Sequence, residues 1–219
     1  AERLLKPKNP CVVTGLPIRG EIINANREFA RAEMKLDSRP LILSMGGSLG
    51  ARAINSAVKF LIESRYEKKD CYYLHATGKA GAGMIDEIKE KINLDANPQI
   101  MLREYINDMD RCLAAADIVI CRAGASSLSE IQALGKPSIL VPYPYAAENH
   151  QYYNAKTLAD RDAAILIEEK DFTGERLLSE VEKLLADPKK LAEMGRNAKD
   201  MAILDASQRI TECVCKIVK

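Results

Sequence analysis

Short apolar runs alternate with longer amphipathic segments along this sequence, and no other feature limits the fold as strongly. Leu41–Met45 is apolar at nearly every position, which predicts a strand that is buried on both faces. Further strands of this kind are predicted at Cys11–Thr14, Cys71–Thr77, Gln99–Leu102, Asp117–Cys121, Ser138–Pro142 and Ala163–Ile167. Strands that are buried on both faces are typical of a parallel sheet with both sides covered.

The segments between the strands repeat apolar residues at helical spacing. One helix is predicted to begin at Ala51, and a second, after the strand Cys71–Thr77, to end at about Lys91. Further helices are predicted at Asn107–Ala115, Ser126–Leu134, Asn149–Ala159, Thr173–Ala186, Pro188–Met201 and Ala206–Val218. Gly135 is typical of a helix end, and Asp187 before Pro188 is typical of a helix start. The predicted fold class is therefore α/β, a doubly wound, Rossmann-like parallel sheet. We expect one domain over residues 11–219 and a polar interdomain linker over residues 1–10.

Composition and charge argue against several classes of function. Lys and Arg number 32 and Asp and Glu number 31, so the net charge of +1 gives no electrostatic reason to expect nucleic acid as a partner. The longest apolar runs fall far short of a membrane span, and the first residues lack the apolar segment of a signal peptide. None of the six cysteines forms a C-x-x-C pair, which favours a reduced, cytosolic protein. His75 and His150 are too few and too far apart to indicate a zinc site.

Ligands of a doubly wound sheet bind at the carboxyl ends of the strands, where three loops carry small or polar residues. In the first loop, Gly46–Ala51, glycines let a phosphate approach the backbone amides at a helix N-terminus. No Lys follows these glycines, and the loop fits neither the dinucleotide nor the ATP fingerprint. The alternative is a tight turn in which Ser48 caps the helix.

The second loop, Cys121–Glu130, also runs from a strand through small residues into a helix. Two such loops at neighbouring strand ends bring two helix N-termini together, and the two helix dipoles favour a diphosphate there. Glu130 lies one turn into the helix, where a carboxylate can accept hydrogen bonds from both hydroxyls of a ribose. The alternative is that Ser126 or Ser127 caps the helix and Glu130 completes a capping box.

The third loop, Pro142–Ala155, places three polar side chains, His150, Gln151 and Asn154, at a helix start. Asn154 follows Gln151 by three residues and His150 by four, so on a helix it shares a face with each of them. Amide side chains suit sugar hydroxyls because each offers a donor and an acceptor. A solvated helix start is the alternative.

Two D-x-D patterns and two pairs of adjacent tyrosines are interpreted as structural. Asp108–Asp110 and Asp160–Asp162 match a common metal-binding pattern, but in helical contexts their carboxylates point away from each other. We therefore expect no metal there. The tyrosines at positions 72–73 and 152–153 are expected to pack rather than to form a stacking platform.

Six motifs in series are similar to the C-terminal half of the MurG family of GT-B glycosyltransferases. They are Gly46–Asn55, His75–Gly78, Tyr105–Met109, Ala116–Glu130, Pro137–Tyr143 and His150–Ala155. Thr14–Arg19 also resembles the family segment T-G-N-P-[IV]-R, although Leu16 replaces its Asn. The resemblance covers the chain from about Cys11 to the C-terminus in one unbroken order, and such a series is specific although each motif alone is weak.

The resemblance implies an inverting hexosyltransferase that transfers GlcNAc from UDP-GlcNAc to lipid I, giving lipid II for peptidoglycan synthesis. Ten residues match the family's donor site: Arg19, Ser48, Ile106, Ala125, Ser126, Ser127, Glu130, His150, Gln151 and Asn154. The resemblance implies that Arg19 and Ser48 contact the phosphates and sugar, and that the backbone of Ile106 binds uracil. Residues 125–127 would form the phosphate loop, Glu130 would bind the ribose, and residues 150, 151 and 154 would bind GlcNAc. Arg122 is interpreted as structural, and the small Ser126 stands where the family has a bulky residue.

The family's N-terminal half, which carries the acceptor site, the membrane-docking surface and the candidate general base, has no counterpart here. We therefore assign no catalytic residue to this chain and expect it to bind the donor but to transfer nothing alone. No motif requires a metal cofactor, although Mg²⁺ remains compatible. The family resemblance implies a full-length enzyme that is peripheral on the cytoplasmic face of the inner membrane, with lipid I bound through the other half.

Two alternatives stay open at this point. The chain is either part of one long enzyme or a free-standing UDP-GlcNAc-binding subunit that requires a membrane-anchored partner chain. A related GT-B enzyme, such as a UDP-GlcNAc 2-epimerase or a glycolipid synthase, shares the fold, but a 2-epimerase lacks the H-Q-x-x-N-A series found at residues 150–155.

Overall fold

The computed structural model describes residues 11–217, and the predicted linker at residues 1–10 lies outside them. Six parallel strands form one sheet: β1 (Leu41–Met45), β2 (Tyr72–Ala76), β3 (Ile100–Arg103), β4 (Ile118–Cys121), β5 (Ser138–Leu140) and β6 (Ala164–Leu166). Their order is β3-β2-β1-β4-β5-β6, so the direction of winding reverses between β1 and β4. Met45 pairs with Ala76 on one side and Cys121 on the other, so the loops after β1, β2 and β4 leave the sheet side by side.

Ten α-helices lie in the described part of the chain: α1 (Gly20–Ile23), α2 (Arg27–Glu33), α3 (Arg52–Arg65), α4 (Ala82–Lys91), α5 (Met109–Ala115), α6 (Ala125–Leu134), α7 (His150–Ala159), α8 (Gly174–Ala186), α9 (Pro188–Asp200) and α10 (Ala206–Ile217). The predicted signals at α6 and α9 are confirmed. Gly135 ends α6 in a left-handed conformation with φ 62°. Asp187 caps α9 by accepting a hydrogen bond from the Lys190 amide at 2.9 Å. No helix among residues 11–217 is long and apolar enough to cross a membrane.

Two separate apolar clusters cover the two faces of the sheet. Leu43 belongs to one cluster together with Leu113 of α5 and Ile131 of α6. Its neighbour in β1, Ile42, belongs to the other cluster together with Leu61 of α3. Successive strand side chains point to opposite faces, so a strand that is apolar throughout contributes to both clusters. The doubly wound α/β fold class that the sequence predicts is confirmed.

A polar pair lies in the middle of the sheet, where β1 and β2 are neighbours. The hydroxyl of Ser44 and Nδ1 of His75 are 2.8 Å apart, and His75 is completely buried. Burial disfavours the charged imidazolium and lowers the pKa of His75 to about 4. The imidazole is therefore neutral at physiological pH.

The predictions for the first 40 residues were incomplete. Cys11–Thr14 forms no strand, and Val12 and Val13 are exposed. The next residue, Gly15, lies against Ile203 just before α10, since a Cβ on Gly15 would be 2.8 Å from Cγ2 of Ile203. A segment with no strand beside it has no backbone partners in a sheet.

The helices α1 and α2 were not predicted. Asn26 nevertheless gives a local signal for the start of α2, because its side chain accepts a hydrogen bond from the Phe29 amide at 2.9 Å. The other predicted elements form with ends displaced by no more than two residues within the described chain, and the predicted helix end at Val218 lies outside it.

Candidate functional site

A cavity of about 580 Å³ opens at the carboxyl ends of β1 and β4, on the side where the winding reverses. Its volume lies within the range of about 300–1,000 Å³ that is typical of small-molecule sites. All three loops that the sequence singled out contribute to it. The lining includes residues 45–53, Cys121, Arg122, Gly124, Ser127, Tyr143, Gln151 and Glu169.

Two helix N-termini face this cavity, because the residues at the starts of α3 and α6 line it. Helix α3 begins after Ala51 and helix α6 begins after Gly124, and neither helix start has a side-chain cap. The interpretations in which Ser48, Ser126 or Ser127 caps a helix are therefore wrong. Uncapped first-turn amides and the positive ends of both helix dipoles make this part of the cavity suited to an anion such as a diphosphate.

Glu130 lies on α6 one turn beyond Ser127 and is mostly buried. Its Oε1 is 3.8 Å from Nη2 of Arg19, the residue that immediately precedes α1. Burial raises the pKa of the Glu130 carboxyl, and the charge of Arg19 partly opposes that increase. The side chain of Arg19 is 59% exposed, so solvent screens this ion pair. Glu130 therefore retains the capacity to accept hydrogen bonds from a ligand.

Two of the three α7 residues that the sequence singled out connect that helix to the cavity loops through hydrogen bonds. Gln151 accepts a hydrogen bond from the Tyr143 amide at 3.0 Å, and Asn154 donates one to the Ala123 carbonyl at 3.2 Å. These bonds leave the amide NH₂ of Gln151 and the amide oxygen of Asn154 available to a ligand. His150 is exposed, and its Nδ1 lies 2.8 Å from the Ala147 carbonyl oxygen. Of the three, only Gln151 lines the cavity.

Three of the ten predicted site residues line the cavity, and the other seven do not: Arg19, Ile106, Ala125, Ser126, Glu130, His150 and Asn154. Ala125 and Ser126 are exposed on the first turn of α6. Ile106 has a buried side chain that packs in the core cluster of α5 and α6, so only its backbone is available to a ligand. Its neighbour Tyr105 is 58% exposed.

Several lining residues were not among the predicted ligands. Arg122, interpreted as structural, donates to the carbonyls of Val141 and Pro142 at 3.2 and 3.1 Å and forms an ion pair with Glu169. Its guanidinium also lies 5.5 Å from the centre of the Tyr143 ring. Arg122 therefore joins the ends of β4 and β5 to the segment after β6. Nothing in the sequence around Glu169 indicates this contact.

The first carboxylate of each D-x-D pattern lies next to a helix end and forms an ion pair. Asp108 precedes α5 and is 2.7 Å from Arg103, and Asp160 follows α7 and is 2.6 Å from Lys156. Within residues 11–217 no group of three or more His, Cys, Asp or Glu side chains is arranged to hold a metal ion. Tyr72 and Tyr73 are buried in the sheet, which confirms their interpretation as packing residues.

Comparisons with known proteins agree with this geometry. Residues 41–210 match the glycosyltransferase family 28 C-terminal domain. A UDP-N-acetylglucosamine--N-acetylmuramyl-(pentapeptide) pyrophosphoryl-undecaprenol N-acetylglucosamine transferase from Acetivibrio thermocellus is 42% identical over 100% of this chain and 59% of its own length. A transferase with the same name from Desulforamulus reducens is 42% identical over 96% of this chain and 58% of its own length.

Solved structures of glycosyltransferases are also similar to this chain. MurG from Acinetobacter baumannii superposes with a TM-score of 0.74 at 28% identity, over 96% of this chain and 57% of the MurG chain. A UDP-N-acetylglucosamine 2-epimerase from Listeria monocytogenes has a TM-score of 0.59 at 19% identity, which shows a shared fold alone. This chain spans less than two thirds of the length of its relatives, 59% in the case of the Acetivibrio protein. The chain belongs to glycosyltransferase family 28 and carries the C-terminal domain of that family.

Proposed function

We propose that this chain binds UDP-GlcNAc as the donor half of an inverting glycosyltransferase that transfers GlcNAc to lipid I and forms lipid II. The observation that carries the proposal is the pair of uncapped helix N-termini, of α3 and α6, at one cavity, with Glu130 one turn further along α6. Such a site suits a nucleoside diphosphate, whose charge lies beside its ribose. The names of the Acetivibrio and Desulforamulus relatives supply the donor, the acceptor and the reaction.

Each part of the donor has a candidate partner in this proposal. The diphosphate lies between the loop of Ser48 and the first turn of α6, at residues 125–127, and Glu130 accepts from the ribose hydroxyls. The backbone of Ile106 pairs with uracil, and the α7 residues His150, Gln151 and Asn154 bind the GlcNAc hydroxyls. In this scheme residues 11–219 form the donor domain and residues 1–10 lead to it from the other half of the enzyme.

The chemistry of this half is stabilisation of the leaving group. When the bond from GlcNAc to UDP breaks, negative charge develops on the β-phosphate, and prearranged amides together with Arg19 stabilise it. The acceptor site, the general base and the membrane contact belong to the rest of the full-length protein. That protein is proposed to act in peptidoglycan synthesis as a peripheral enzyme on the cytoplasmic face of the membrane, and thereby to support cell shape and division.

A thermal unfolding series tests the donor assignment. A ligand that binds only the folded state at about 100 times its Kd stabilises a protein by about 2.7 kcal/mol. UDP-GlcNAc is therefore expected to raise the Tm of the chain more than GDP- or ADP-sugars at the same concentration. Equal protection by all three nucleotide sugars, or by none, would contradict the proposal.

A further inference from the structure

We propose that Asn55, Gly50 and Gly78 are positioning residues that join the phosphate end of the donor site to its base end. They hold the glycine-rich loop, residues 46–51, against the segment that follows β2, and that segment is in turn bonded to the chain leading to Ile106. The inference rests on the proposed function, because it concerns the same site. Gly50 lines the cavity within the glycine-rich loop, whereas Asn55 and Gly78 do not line it.

The first observation is a backbone contact that only glycine permits. Gly50 and Gly78 both have left-handed φ angles, 84° and 67°. A Cβ on Gly78 would lie 2.1 Å from the Gly50 nitrogen, and a Cβ on Gly50 would lie 2.2 Å from the Thr77 carbonyl oxygen. Real Cβ atoms do not approach backbone atoms so closely, so either substitution forces the two loops apart.

Asn55 secures the same contact from the side. It lies on α3 and is 7% exposed, and its Nδ2 donates a hydrogen bond of 2.9 Å to the Thr77 carbonyl. A Cβ on Gly81 would lie 2.1 Å from that same Nδ2, so the amide occupies the space that a side chain at position 81 would need. Helix α3, which begins at the cavity, is thereby fixed to the segment after β2.

Backbone hydrogen bonds complete the connection in both directions. The Ala80 amide donates to the Leu49 carbonyl at 3.0 Å, on the side of the glycine-rich loop. The amides of Thr77 and Gly78 donate to the carbonyls of Arg103 and Glu104, both at 2.9 Å. Glu104 is two residues before Ile106 in the chain. Residues 77–78 therefore lie between the loop proposed to bind phosphate and the segment proposed to bind uracil.

Substitutions in this contact between the two loops are expected to affect binding differently from the loss of a single ligand contact. A substitution that removes one ligand contact weakens binding of one part of the donor, whereas moving residues 77–78 displaces both ends of the site. Gly78→Ala and Asn55→Asp are therefore expected to weaken binding of UDP and also of uridine, which has no phosphate. Ser48→Ala is expected to weaken UDP binding alone.

The test measures the Kd of UDP and of uridine by calorimetry, and the Tm, for the 219-residue chain and its variants. We expect Gly78→Ala and Asn55→Asp to raise both Kd values at least tenfold. Asn55→Ala removes the same hydrogen bond without adding a clash or a charge, so it serves as the milder variant if the other two do not fold. It is expected to raise both Kd values several-fold.

The control is Gly135→Ala, which has a similar left-handed φ of 62° at the end of α6. It imposes a comparable backbone penalty outside the donor loops, so it should lower the Tm and leave both Kd values unchanged. A lower Tm with unaltered Kd values in the Gly78 and Asn55 variants would overturn the inference, as would a loss of UDP binding without a loss of uridine binding. If the unsubstituted chain binds no UDP, the proposed function fails instead.

Discussion

Nη2 of Arg19 lies 3.8 Å from Oε1 of Glu130, and this contact joins the segment before α1 to the middle of α6. The family resemblance gives these residues different roles, Arg19 at the phosphates and sugar and Glu130 at the ribose. Their proximity allows one ligand to contact both side chains. The pair is weak, since Arg19 is exposed and an ion pair that solvent screens contributes about 0–1 kcal/mol. A bound nucleotide can therefore share or replace it.

Glu130→Ala is expected to weaken UDP binding at least tenfold. The substitution removes two charge-assisted hydrogen bonds to the ribose, each worth about 1.5–3 kcal/mol at most. Calorimetry measures the change, and circular dichroism checks that the fold is intact. Gln132→Ala on the same helix is the control and should bind UDP normally. Unchanged affinity in the Glu130 variant would leave the carboxylate without a role in ribose binding.

Arg19→Ala in the full-length protein is expected to lower kcat more than it raises the KM for the donor. The charge on the departing UDP grows in the transition state, and an interaction that strengthens there contributes to kcat. Steady-state kinetics with UDP-GlcNAc distinguish the two effects. A change in KM alone would restrict Arg19 to binding phosphate in the ground state.

Ser127→Asp is expected to reduce UDP affinity while the chain stays at least as stable. A carboxylate in the first turn of α6 interacts favourably with the helix dipole, by about 0.3–1 kcal/mol, but it repels a diphosphate in the cavity that Ser127 lines. Uridine binding should not change. Ser129→Asp, on the same helix but outside the cavity lining, is the matched control. Equal UDP affinity in both variants would place the diphosphate elsewhere.

The free energy of unfolding is expected to fall between pH 6.5 and pH 4 because of His75, whose pKa is lowered from 6.5 to about 4 by burial. The unfolded chain binds a proton to this imidazole over that range and the folded chain does not, so acid favours unfolding. The effect is at most about 3 kcal/mol. Urea titrations of His75→Gln should show a smaller loss of stability over this range than titrations of the unsubstituted chain. Identical pH dependence in the two would contradict the assignment.

The chain alone is expected to bind UDP-GlcNAc and to transfer no GlcNAc to a lipid I analogue. Without the acceptor-binding half it lacks proximity, worth about 7–11 kcal/mol, and general-base catalysis, worth about 10²–10⁴-fold in rate. Supplying the N-terminal half, fused or in trans, should restore turnover. Transfer by the chain alone would require a complete active site within these 219 residues.

Local features of the sequence were enough to determine the fold class. The apolar run of β1 and the helix signals at Asp187 and Gly135 act within one element, so they can be identified without knowing what surrounds them. The same holds for the small residues after β1 and β4, which indicated two helix N-termini at one edge of the sheet. The segment Cys11–Thr14 was misjudged because an apolar run becomes a strand only if another strand lies beside it.

Contacts between distant parts of the chain were decided by the tertiary structure alone. The ion pair of Arg122 with Glu169 and the packing of Gly78 on Gly50 connect loops that follow different strands. Which loops become neighbours depends on the strand order β3-β2-β1-β4-β5-β6. In this order β1 lies between β2 and β4, although β1 precedes both of them in the sequence. Periodicity and capping act over a few residues and carry no information about that order. The sequence by itself therefore determined the elements and the small-residue loops, and the order of the strands decided which side chains meet around the cavity.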